Sequence, residues 1–256
     1  MNRKLLLTFF VVGLLFPHTL WINSTGYYGR IGELTIIFLG WGHRFPVADF
    51  ISQNEVKGYS VALPSGKIIS LKPQGKFYES VLNFTEDGYY HVFAFTKAGF
   101  YTMSLQEGRI LHYQKPMDQV KGKILVSNCY QEFARALIKV GEGNYNDLSR
   151  VLGLKMEIIP LMDPSDLKIG DFLKVKVLYN GKPLPFVPIY ATYEGFSTGD
   201  DYAFATETDS RGIARIRIIH WGRWMVKAHL KKPADGKLSG KCRMISVVST
   251  LTLEVR

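Results

Sequence analysis

The sequence predicts an all-β protein: two β-sandwich domains joined by a short helix and preceded by a hydrophobic export segment. Three observations carry this. Short runs rich in β-branched and aromatic residues recur along the chain, punctuated by 24 glycines and 11 prolines that form no tract. Asn180-Gly181 lies between two apolar runs, and both central positions of the tight hairpin turn it signals need a positive φ. Only Cys129–Val140 shows the three- and four-residue spacing of a helix.

The N-terminus comes first. Arg3 and Lys4 precede an apolar run from Leu5 to Phe16, and Pro17 ends it. The run has the length of a secretory core and is too short to span a bilayer unaided, so residues 1–17 read as a signal peptide or N-terminal anchor. The expected location is therefore exported: periplasmic or extracellular. Leu15, Phe16 and Pro17 are not the small residues that a signal peptidase prefers. Cleavage after Pro17 would set a free amine beside the His18 imidazole, whereas retention would leave an anchor.

Residues 18–125 read as an N-terminal β-sandwich domain. Glu33–Leu39, bounded by glycine, is a buried strand that delivers the chain to Gly42-His43-Arg44-Phe45-Pro46. Tyr59–Leu63 and Ile68–Leu71 flank Pro64-Ser65-Gly66-Lys67, a strand, turn and second strand. Gly88–Phe95 places Tyr89, His91, Phe93 and Phe95 on one face. Residues 126–153 then read as a helical linker, with Tyr130, Phe133, Ala134, Leu137 and Ile138 forming its apolar stripe and Gly141 its stop. Residues 154–256 return to strands at Met156–Leu161, Phe172–Tyr179, Val187–Tyr193, Tyr202–Thr208, Ile213–His220, Trp224–Leu230 and Met244–Val255. Seven short strands over such a length predict an immunoglobulin-like sandwich.

A net charge of +10 invites a nucleic-acid reading, but it is dispersed. Residues 154–256 hold 16 basic and 11 acidic side chains, a net +5, with no basic helix or recognition motif. Nucleic acid is excluded as a partner, and a mildly basic surface suits anionic lipid or cell wall. Cys129 and Cys242 are the two cysteines. They can form one disulfide in an oxidising compartment or stay as two buried thiols, and their spacing is not that of a zinc site.

The six histidines include no HxH, HxxxH or HExxH pair, so a metal site must be assembled across strands. His18 and His43 are the candidate ligands, the first where a free amine can arise, the second in a turn after a buried strand. Nitrogen donors suit Ni, Co, Cu or Zn. His91, among aromatics, reads as a core residue, and His229, on one face with Lys227 and Lys231, as solvent-exposed. His220 precedes Trp221-Gly222-Arg223-Trp224, whose tryptophans Trp221 and Trp224 read as caps on the sandwich or, alternatively, as a ligand-stacking surface. Asp200, Asp201, Glu207 and Asp209 lack EF-hand spacing and read as a solvated loop. No nucleophile elbow, credible Cys/His pair or paired carboxylate is present, so no residue is assigned a catalytic role and the chain reads as a non-enzyme.

Gly181-Lys182-Pro183-Leu184-Pro185-Phe186-Val187-Pro188, followed by Thr208-Asp209-Ser210-Arg211-Gly212, resembles a signature of transthyretin-like and carboxypeptidase-regulatory-like sandwiches. In it Asp209 bonds backbone amides two residues on while Gly212 takes a positive φ. With His18-Thr19-Leu20-Trp21, Gly42-His43-Arg44-Phe45-Pro46, Met156–Pro164, Ile169-Gly170-Asp171 and Gly222-Arg223-Trp224-Met225, nearly the whole chain resembles a bacterial family of exported domains of unknown function. That family is labelled as the periplasmic component of nickel or cobalt transport, under a NikM-like name. The resemblance implies an exported, β-rich protein linked to nickel or cobalt; joined to the residue reading above, the expectation is a non-enzymatic protein that binds a divalent transition metal as an accessory to a membrane metal transporter. The alternative is a cell-envelope module that binds a protein or glycan through its sandwich loops.

Overall fold

The structure is a computed structural model, and it describes residues 18–46, 49–143 and 145–256. The expected export segment, residues 1–17, lies outside the described residues. The chain is all-β. In the first half the strands are β1 (Thr19–Ser24), β2 (Tyr28–Gly29), β3 (Leu34–Gly42), β4 (Val56–Ala62), β5 (Ile68–Ser70), β6 (Ser80–Asn83), β7 (Gly88–Thr96), β8 (Gly99–Gln106), β9 (Arg109–Tyr113) and β10 (Lys123–Val140). The second half adds β11 (Met156–Pro160), β12 (Phe172–Tyr179), β13 (Lys182–Pro183), β14 (Pro188–Tyr193), β15 (Phe204–Glu207), β16 (Ile213–Arg217), β17 (Gly222–Pro233) and β18 (Met244–Val255).

Three sheets result. A small one has the order β1-β3-β6, and another joins β11-β12-β13 with β16 on β12. Between them runs an 11-stranded sheet along β15-β14-β17-β18-β10-β7-β4-β5, with β2, β8 and β9 attached. The small sheets cover opposite faces of the large one. On one face Phe133, Leu137, Tyr89 and Phe93 pack with Val247 and Leu251 against Leu173, Val175 and Val177 of β12. On the other, Ala134, Ala136, Ile138, Tyr90 and Val92 pack against Leu20, Ile22, Ile37 and Leu39 of β1 and β3.

The expected helix over Cys129–Val140 is instead the centre of this architecture. Strand β10 pairs in parallel with β18 from Asn128↔Met244 to Ala136↔Thr252, and antiparallel with β8 and β7 along its other edge. The physical reason is burial on both faces. When odd and even positions are both apolar the period of two disappears, and the surviving pattern can imitate 3.6. The one α-helical turn in the linker region is Tyr145–Leu148. The two halves are thus joined by a shared sheet.

Local chemistry sets several turns as the sequence predicts. Asn180 and Gly181 take φ of 50° and 73°, closing β12 on β13 in the register Tyr179↔Lys182. Asp209 Oδ1 accepts from the amides of Arg211 and Ile213, each at 2.9 Å, and Gly212 sits at φ 75°. Cys129 and Cys242 form a disulfide, with S–S 2.04 Å and Cα–Cα 5.7 Å, at the point where β10 and β18 begin to pair.

A buried polar network ties the halves together. His91, fully buried, accepts at Nδ1 from Arg135 Nη2 at 2.6 Å and donates from Nε2 to the Asp147 carbonyl at 2.7 Å. Arg135 also donates to the Arg150 carbonyl and lies 3.8 Å from Glu157, whose carboxylate accepts from the Leu152 and Gly153 amides. Burial and the neighbouring Arg135 cation hold His91 well below its ordinary pKa, so a neutral imidazole can accept from the guanidinium.

Candidate metal centre

The antiparallel register of β1 and β3 explains the site. Thr19 pairs with Gly42, so the next residue on each strand, His18 and His43, meets its counterpart at the open end of the ladder. Their ring centroids are 4.6 Å apart. Trp41 flanks the pair, 5.6 Å from the His18 ring. Gly42 takes φ of 143°, a value that side-chain-bearing residues rarely adopt, and a Cβ there would stand 3.2 Å from Asp49 Oδ2. The turn is anchored below by Phe45, edge-on to Trp21 at 6.1 Å.

A second loop, between β14 and β15, closes on this turn. Asp200 Oδ2 lies 3.3 Å from His43 Nδ1, and Arg44 donates to the Thr198 carbonyl at 3.2 Å. A carboxylate against one ring nitrogen fixes the tautomer and leaves the other nitrogen as a donor to a cation, the arrangement common among metal-ligating histidines. His18 is shifted below its ordinary pKa, first by burial and then by the adjacent His43, with Asp49 and Glu55 opposing. Both causes favour the neutral imidazole. The geometry thus brings two imidazoles together, with one carboxylate behind His43. Among the described residues no group of three or more His, Cys, Asp or Glu side chains is arranged to hold a metal.

Beneath the histidines lie two buried ionisable side chains, Lys227 and Glu132, that no local sequence signal reveals. Lys227 donates to Thr19 Oγ1 at 2.8 Å and to the Tyr202 hydroxyl at 3.0 Å, and Glu132 Oε2 accepts from the Leu20 amide at 2.7 Å. Burial pushes the Glu132 carboxyl up to about 8, with the Leu20 amide and the Lys227 ammonium opposing. Burial likewise lowers Lys227. These groups fix the start of β1, and so the position of His18, on the large sheet.

The other candidates scatter. Trp224 is fully buried and its Nε1 donates to the His220 carbonyl at 2.9 Å, so it is a core residue and not a stacking surface; β17 turns it inward between the sheets. Trp221 is 59% exposed. His220 stacks on Tyr193 at 4.4 Å, nearly parallel. Asp201 is held by Ser197 Oγ and Asp209 by Arg211, so the acidic residues form no common cluster. His229, expected in solvent, is half-buried and bonded to Ser246 Oγ at 2.8 Å.

The sheets and this site define an all-β protein with a paired-histidine end. Residues 15–232 match the family described as "Domain of unknown function (DUF4198)", and the chain belongs to that family. No curated protein matches the chain. Similar solved structures include Salmonella alpha-2-macroglobulin reacted with methylamine, at 10% identity and TM-score 0.25, covering 93% of this chain and 15% of that one. The D0-D1 domain of Intimin matches at 12% identity and TM-score 0.22, covering 91% and 96%. The Yersinia pseudotuberculosis adhesin InvE matches at 14% and 0.22, covering 91% and 58%. The chain thus spans a small part of the macroglobulin, and likenesses this distant carry no argument about function. Among the described residues no helix is long and apolar enough to cross a membrane.

Proposed function

We propose that this is an exported, non-enzymatic protein that binds a divalent transition metal, nickel or cobalt, through His18 and His43 and serves a membrane uptake system. The observation that supports it is the meeting of those two imidazoles at 4.6 Å, with Asp200 against His43. His18 and His43 supply nitrogen donors, and Asp200 is a positioning residue for His43. A bound ion would satisfy the two lone pairs and neutralise the local acidic field of Asp49, Glu55 and Asp200. If the chain is cut after Pro17, the α-amine of His18 adds a third nitrogen.

Binding to the folded state alone raises stability in proportion to the logarithm of free ligand over its dissociation constant. A thermal-shift series with Ni²⁺, Co²⁺, Cu²⁺ and Zn²⁺ against a chelated control, on tag-free protein whose N-terminus is defined by mass spectrometry, is therefore decisive. A shift that rises with the logarithm of ion concentration is expected with at least one ion, abolished by His43→Ala and by His18→Ala and reduced by Asp200→Asn. No shift with any ion would sink the reading and leave the envelope interaction module, which the exposed Trp221 supports.

A further inference from the structure

The outer face of β12 and β16 carries features that the metal reading does not use. Along these strands Leu173, Val175, Ala214 and Ile216 point into the core, so the alternating residues face solvent. The register sets Phe172 opposite Arg217 and Lys174 opposite Arg215, and all four are exposed. Like charges directly across an antiparallel pair are destabilising. Among the described residues, Lys174, Lys176, Arg215 and Arg217 form no ion pair. The fold therefore maintains a cationic strip, bordered at the Lys174 and Arg215 end by the carboxylates of Glu207 and Asp209, which line the same pocket.

At one end this strip runs into an apolar tip. The loop before β12 and the loop after β16 are tied by hydrogen bonds from the Gly170 amide to the Ile218 carbonyl, 2.8 Å, and from the Ile218 amide to the Asp171 carbonyl, 2.9 Å. Together they present Ile169 at 49% exposure, Phe172 at 45%, Ile219 at 41% and Trp221 at 59%. Large apolar groups exposed on two loops held together by these bonds mark an interaction surface. At the rise of a strand, Lys174 and Arg215 sit about 7 Å behind Phe172 and Arg217.

We infer that this tip and strip form a peripheral membrane-binding surface whose partner is an anionic lipid bilayer. The spacing matches the partner. Apolar groups that enter the headgroup and acyl boundary reach about 5–10 Å deep, which leaves the Lys174 and Arg215 pair at the level of the lipid phosphates, while Arg217, opposite Phe172, reaches back to them along its flexible stem. Tryptophan is the residue type enriched at that boundary. A soluble polyanion would engage the cations but gain nothing from Ile169, Ile219 and Trp221. A second copy of the chain would bring the same cations face to face.

The test uses the full chain with vesicles of phosphatidylglycerol mixed equally with phosphatidylcholine, whose acyl chains are brominated to quench nearby tryptophan. Residues 1–17 are common to every variant, so differences report the tip. Quenching of part of the emission is expected in the wild type, absent in Trp221→Phe, and lost in Lys174→Glu/Arg215→Glu. The neutral pair Lys174→Gln/Arg215→Gln should give an intermediate loss, which covers the case in which charge reversal harms folding; thermal unfolding checks each variant. Quenching that survives Trp221→Phe, or that is indifferent to both charge variants, overturns the proposal. So does a wild type that is unquenched by lipid; its retention by a soluble polyanion such as heparin would then reassign the strip.

Discussion

His229 shows how a neighbourhood overrides a residue's sequence context. Between Lys227 and Lys231 it reads as a solvated side chain, yet β17 packs it beside β18, where it bonds Ser246. Burial, then the cations of Lys227 and Lys231, pushes its pKa from 6.5 down to about 4. Between those values the unfolded chain binds more protons than the folded one, so stability rises with pH. The contribution is fully present above pH 6.5 and is lost as pH falls toward 4. Relative to His229→Gln, the wild type should therefore lose about 3 kcal/mol more between pH 7 and about pH 4. Urea unfolding of both proteins at the two pH values checks this, and parallel profiles would refute it. His91 acts in the same sense and Glu132, with its raised pKa, in the opposite one; both remain in each protein and cancel in the comparison.

Among the elements, β10 is where sequence reasoning went astray. Its Tyr130, Phe133, Ala134, Leu137 and Ile138 fit a helical stripe, but Phe133 and Leu137 belong to one core and Ala134 and Ile138 to the other. A strand sandwiched between two layers has no polar face to betray its period. By contrast β12 and β18 begin and end where the sequence places them, because β12 alternates buried and exposed residues and β18 is a long run rich in β-branched residues. The disulfide acts at this same level, closing a separation of 113 residues where parallel pairing of β10 and β18 begins. Restricting so long a loop in the unfolded chain is worth about 2–5 kcal/mol. Cys129→Ser/Cys242→Ser should lower the unfolding free energy by that amount, read by denaturant titration; an unchanged midpoint would show that the bridge adds nothing.

At the scale of the molecule, the large sheet makes the two halves interdependent. β10 hydrogen-bonds on one edge to β18 from the C-terminal half and on the other to β7 and β8 from the N-terminal half. Arg135, on β10, binds His91 from one half and the Arg150 carbonyl and Glu157 from the segment that begins the other. Thr250 and Thr252 of β18 donate to the Leu20 and Ile22 carbonyls of β1 at 2.7 and 2.6 Å. Two independent domains would unfold in separable steps, whereas a shared sheet couples them. Scanning calorimetry should thus show one transition with matching calorimetric and van't Hoff enthalpies. Two resolved peaks would establish the halves as autonomous.

The sequence by itself determined the β class, most strand positions in the C-terminal half, and the Asn180-Gly181 and Asp209–Gly212 turns. Each of these is written in neighbouring residues: alternation, β-branched runs and turn dihedrals. Tertiary structure alone decided that β10 is a strand, that Cys129 joins Cys242, that Trp224 is core, and that His18 and His43 meet with Asp200 beside them. These outcomes depend on partners far along the chain, as with His43 and Asp200, 157 residues apart. A pairing at that distance is fixed by sheet order and register, and no local run of residues encodes it.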